Sequence, residues 1–82
     1  MPVDRNGTPI GLRDAVTLEE ASQGLLRGLP PEDQLAIKQQ VGKELEIVGF
    51  NDQGYPELEF VDQSGVYHTI WVENTCVVKR NK

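Results

Sequence analysis

A chain of 82 residues with a hydrophobic fraction of 38% suffices for one small core and excludes two. Its formal net charge is −5, from 13 acids against 8 bases, and three of those bases (Lys79, Arg80 and Lys82) crowd the last four residues. The rest of the chain is therefore more acidic still, which disfavours nucleic-acid backbones, whose affinity comes largely from Lys and Arg displacing counterions.

Residues 1–15 read as an extended N-terminal arm, with a small edge hairpin as the alternative. Asn6-Gly7 is a two-residue turn signal with Val3 and Ile10 on either side, and Pro9 argues against a central strand there. Residues 16–82 read as a single α+β domain. A first helix is predicted over about 17–27. Thr17 and Glu20 have the spacing of a capping box, Val16 and Ala21 that of a hydrophobic staple, and Leu18, Ala21 and Leu25 form a narrow stripe. Gly28 supplies a left-handed stop, while Gly24 weakens the helix. A second helix is predicted over about 31–41. Pro31 suits its first position, Glu32 and Asp33 oppose the positive end of the dipole, and Gly42 ends it.

From Lys43 the apolar period changes to two, and strands are predicted over about 44–50, 55–61, 66–72 and 76–79. Asn51-Asp52-Gln53-Gly54 and Asp62-Gln63-Ser64-Gly65 both fit a type I turn closed by a glycine bulge. That geometry sets Leu58 opposite both Val48 and Ile70, and Phe60 opposite His68. One face then gathers Val48, Phe50, Leu58, Phe60, Ile70 and Val72, and the other Ile47, Glu57, Glu59, Val61, Tyr67, Thr69 and Trp71. A two-residue turn at Ser64-Gly65 would slip the pairing by one and carry Tyr67 and Trp71 to the Leu58 face. Glu73-Asn74-Thr75 reads as a tight or 3₁₀ turn before Cys76-Val77-Val78.

The whole predicts two short N-terminal helices packed on a strongly bent antiparallel sheet of three to four strands. Over residues 43–79, a meander with a strong bend and a 3₁₀ turn before its last strand resembles an SH3-like small β-barrel in architecture. The aromatic run of peptide-binding SH3 domains is absent, so recognition of proline ligands does not come with the resemblance.

Chemistry is sparse. His68 is the single histidine and Cys76 the single cysteine, short of the three or four ligands that zinc takes, so no metal and no cofactor is expected. Ser22 and Ser64 lack a nucleophile-elbow context, and none of the glycines forms a GxGxxG or P-loop motif. A lone thiol fits a reducing compartment, residues 1–12 hold no apolar run of signal-peptide length, and no stretch approaches the ~18 apolar residues of a membrane span. A cytoplasmic setting is the expectation.

What remains is a surface. From Leu45 to Val78 there are six acids and no Lys or Arg. Glu57, Glu59, Val61, Tyr67 and Trp71 would make an aromatic patch rimmed by carboxylates, unless the helices cover that face. Tyr and Trp are enriched at interface hot spots, and an acidic rim steers a basic partner. The sequence thus points to a non-enzymatic protein-interaction module for a partner with a basic surface, an inhibitor or immunity-type protein being one form. The alternatives are a structural accessory subunit and a small enzyme using His68.

Overall fold

The structure is a computed structural model that describes residues 2–80. Its elements are β1 (Ala15–Leu18), α1 (Gln23–Leu26), α2 (Pro31–Lys38), β2 (Glu44–Phe50), β3 (Pro56–Val61), β4 (Tyr67–Trp71), a 3₁₀ turn (Asn74–Cys76) and β5 (Val77–Lys79). The strands form one five-stranded antiparallel sheet in the order β4-β3-β2-β1-β5, with β4 and β5 as its two ends. The fold is α+β, and the sheet carries one strand more than the period-two pattern announces.

That extra strand takes the start of the predicted first helix, residues 17–18, and residues 19–22 that follow it are irregular. Val16 and Leu18 are fully buried while Thr17 between them is not, an alternation that a helix cannot produce. In the sheet centre, β1 pairs with β2 on one side and β5 on the other. A capping box contributes roughly 0.5–2 kcal/mol. Burying Val16 and Leu18 contributes about 1.5–3 kcal/mol each, so the strand wins. The helical remnant is one turn, capped by Ser22, whose hydroxyl accepts from the Leu25 amide. The second helix stands where proline and acids place it, although it stops at Lys38. Leu25, Leu26, Leu29, Ala36 and Ile37 from this helical excursion pack against the core built on Val16, Leu18, Ile47, Leu58 and Phe60.

Strand β2 serves both halves of the sheet. Glu44 to Glu46 pair with β1, and Ile47 to Phe50 pair with β3, with a register shift between Ile47 and Gly49. This bulge corrects the expected pairing: Ile47, not Val48, lies opposite Leu58. Ile47 is therefore fully buried and Val48 is 37% exposed, the reverse of the expected faces. Across β3 and β4 the expected register stands, with Leu58 opposite Ile70 and Phe60 opposite His68. Phe60, Ile70 and Val72 join Leu58 in the core, and Phe50 packs partly against it.

Three turns share one geometry. Asn51 and Asp62 each accept, through one side-chain oxygen, the amides two and four residues on. Gly54 and Gly65 take the left-handed conformation that closes each turn. The same pattern governs Asp4 to Gly7, where Asp4 Oδ1 accepts from Asn6 and Thr8. Residues 2–10 are thus built around Asp4, and the turn spans four residues rather than the two of Asn6-Gly7. Val3 bridges to Pro9, Ile10 is buried, and Asp4 Oδ2 accepts the Lys79 amide at 2.7 Å. Burial alone would raise the Asp4 carboxyl pKa. The amides of Lys79, Thr8 and Asn6, with the Lys79 ammonium, outweigh it and hold that pKa below the usual carboxylate value. Lys79 and Arg80 also belong to the sheet end, facing Asp14 and Glu44 respectively, while Lys82 lies outside the described residues.

Two measurements follow from this packing. Asp4→Ala strands three amides that share a charged acceptor, and urea unfolding should show a loss of about 3 kcal/mol. Ile47→Ala should cost about 2–5 kcal/mol in the same assay, whereas Val48→Ala should stay within about 0.5 kcal/mol. Comparable losses at 47 and 48 would contradict the bulge.

Candidate docking surface on the outer sheet face

The pairs on the face of β3 and β4 turned away from the core are Glu57 with Trp71, Glu59 with Thr69, and Val61 with Tyr67. The helices pack on the core side, and this face stays open except at its Trp71 end, which α1 borders. Trp71 is 47%, Val61 58% and Tyr67 59% exposed, while Glu57 and Glu59 are half-buried between them. The five residues singled out in the sequence thus stand together on one face, and Thr69 lies in their midst.

The backbone explains how closely they sit. The Val72 amide bonds the Pro56 carbonyl, and the Asp62 amide bonds the Val66 carbonyl. Even-numbered pairs along this ladder are therefore the hydrogen-bonded ones. The three outward pairs are the non-bonded kind, in which Cα atoms approach to about 4.5 Å and side chains touch most readily. Glu57 also leans over β2: a methyl group on Gly49 would meet its Oε1 at 2.7 Å. Gly49 thus leaves the space that the Glu57 carboxylate occupies. Next to Tyr67, the Glu59 carboxylate pushes the phenol pKa up, with burial and Glu57 acting the same way.

Trp71 extends the surface towards the helices. With Tyr55, Glu73, Leu25, Ser22 and Gly24 it lines an open cleft of about 350 Å³. Tyr55 and Glu73 are additions to the five residues expected at this site. Both lie one step beyond the β3–β4 ladder on the same face, and the alternation of the strands is the signal that reaches them.

His68 points the other way. Its ring stacks on Phe60 at a centroid distance of 4.8 Å, and its Nε2 donates to Asp62 Oδ2 at 2.8 Å. The His68 ring, followed by the Val66 amide, holds the Asp62 carboxyl below its usual range against the effect of burial. Cys76 is buried in the 3₁₀ turn, and burial, reinforced by Glu20 and Glu73, pushes its thiol up. Among the described residues no three His, Cys, Asp or Glu side chains converge as a metal site would require. Nor is any helix among them long and apolar enough to cross a membrane.

Because the Asp62 pKa is lowered in the folded chain, its contact with His68 stabilises the fold above the unfolded carboxyl value. That contribution should fade as pH falls below about 4. Asp62→Asn keeps the turn, as Asn51 does in its own turn, and removes the titration. Urea midpoints across the acid limb should therefore fall less steeply in the variant; parallel limbs would contradict the assignment. Comparisons of the chain with protein-family models, with curated proteins and with solved structures return no match.

Proposed function

We propose that this protein is a non-enzymatic interaction module whose open outer face of β3 and β4 docks a protein with a basic surface. The observation that carries the reading is the exposure of Val61, Tyr67 and Trp71 beside Glu57 and Glu59, on the face that the helices leave largely open. Apolar rings able to desolvate a contact sit next to carboxylates able to steer and orient a cationic partner. From Leu45 to Val78 no Lys or Arg opposes that field. An inhibitor or immunity-type protein that occupies a basic enzyme, such as a nuclease, is one form this role takes, with carboxylates standing where phosphates would. The acidic composition also argues against nucleic acid as the partner. A cytoplasmic setting fits the lone, buried thiol of Cys76.

The scaffold belongs to the same proposal. Strand order β4-β3-β2-β1-β5, a β2 shared between both halves, and a 3₁₀ turn leading into β5 support an SH3-like small barrel. In that scheme the helices occupy the long connection between the first two strands. His68 supports a structural role better than a catalytic one, since its ring stacks on Phe60 and its Nε2 is engaged by Asp62.

Affinity purification at low salt, followed by binding titrations with the purified partner, tests the proposal. The partner should carry a basic surface, and affinity should fall as salt rises. Glu57→Gln with Glu59→Gln should weaken binding about tenfold, and Trp71→Ala by about 30-fold or more. Recovery of acidic or neutral partners alone, or indifference to ionic strength, would sink it.

A further inference from the structure

The two ends of the sheet are treated differently. At the β5 end, the N-terminal turn covers the strand: the Arg5 amide bonds the Val77 carbonyl, and Asp4 Oδ2 takes the Lys79 amide. Hydrogen-bonding capacity on that edge is occupied by the chain itself. At the β4 end no further strand follows among the described residues.

Which groups β4 leaves open follows from the ladder. Val66 and Val72 direct their backbone bonds towards β3, so the even-numbered residues of β4 face inward. The amides and carbonyls of Tyr67, Thr69 and Trp71 consequently face outward. Among the described residues, no turn, loop or cap bond engages them. A bare edge is a hazard that proteins blunt with lysine, proline or a bulge. Tyr67-His68-Thr69-Ile70-Trp71 has none of these, and its ladder with β3 is regular over five pairs.

We propose that the β4 edge receives an extended, basic segment of the partner protein as a sixth strand of the sheet. The inference rests on the docking face proposed above and deepens it by naming how the partner is held. Outward amides and carbonyls of Tyr67, Thr69 and Trp71 supply the ladder, as in strand addition generally. Charge decides the side chains. The odd-numbered residues that offer their backbone also place their side chains on the acidic outer face, opposite Val61, Glu59 and Glu57. A strand added to β4 lies about 9–10 Å from β3, two strand spacings away. Thr69 is the small residue in between, so an Arg or Lys opposite it can extend over the threonine to the Glu59 carboxylate. Tyr67 and Trp71 flank that passage and cover the cationic stem. A second copy of this chain fits less well, because edge-to-edge pairing would bring two acidic faces together.

The test uses a synthetic extended peptide in which Arg alternates with Val, titrated into the ¹⁵N-labelled full chain. Saturable binding is expected. The Tyr67, Thr69 and Trp71 amides should shift most and exchange more slowly with solvent, and no homodimer should appear by sedimentation. Thr69→Pro removes one outward amide without touching the β3–β4 ladder, and should weaken the peptide at least tenfold while urea stability confirms that the variant is folded. Binding that shifts side-chain signals of Trp71 and Tyr67 but leaves the three amides and the Thr69→Pro affinity unchanged would overturn the edge and spare the docking face. No saturable binding would overturn the edge, while the salt-dependent titration of the natural partner would still judge the face. A dimer paired through β4 would put a second copy where the peptide should be, and would also overturn the proposal.

Discussion

Strand β2 has to belong to two sheet halves at once, and one extra residue makes this possible. Up to Glu46 it pairs with β1, and from Ile47 onward with β3. At the changeover Ile47 is held from the first side as well, donating to the Asp14 carbonyl and accepting from the Arg13 amide. A bulge bends the strand and re-aims its side chains. It turns Ile47 into the core beside Leu58 and puts Val48 on the surface.

The surface depends on the same residues. Gly49 completes the bulge, and the absence of a side chain there gives the Glu57 carboxylate its place over β2. Glu57 pairs with Trp71, and the outer face continues through Glu59, Thr69, Val61 and Tyr67. One local irregularity thus sets both which residues form the core and where the acid–aromatic row lies. The helices settle on the core side because Leu25, Leu26 and Ile37 need apolar cover, and the chain offers it there through Ile47, Leu58 and Phe60. The outer face has no such stripe to receive.

A repeated turn does the remaining organisation. Asp4, Asn51 and Asp62 each fold a side-chain oxygen over the following amides, and a left-handed glycine closes each turn. The second and third join consecutive strands. The first does something else: it lays the N-terminal residues along β5 and occupies that edge, with Asn74 fastening Val3 and Gly54 at its side. The sheet therefore ends in a covered edge and an uncovered one, and the uncovered one borders the docking face.

Local chemistry was enough to read part of this from the residues. The Asp62 turn fixes the β3–β4 register because the hydrogen-bonding needs of Asx, small polar and glycine residues are met within four positions. Proline and acids start α2, and alternation places Glu57, Glu59 and Val61 on one face, which Tyr67 and Trp71 share once the four-residue Asp62 turn sets the register. Three things were decided only in three dimensions. Residues 15–18 carry competing local signals, a capping box and a period-two pair, and the choice of strand comes from neighbours β2 and β5, which are 26 and more residues away in sequence. The bulge at Val48 has no local mark beyond one glycine, and depends on β2 meeting two partners. Exposure of the Trp71 face is the third, since sequence places residues on a face but only packing decides which face the helices cover. Short-range hydrogen bonds are written in consecutive residues; burial is settled by the whole chain.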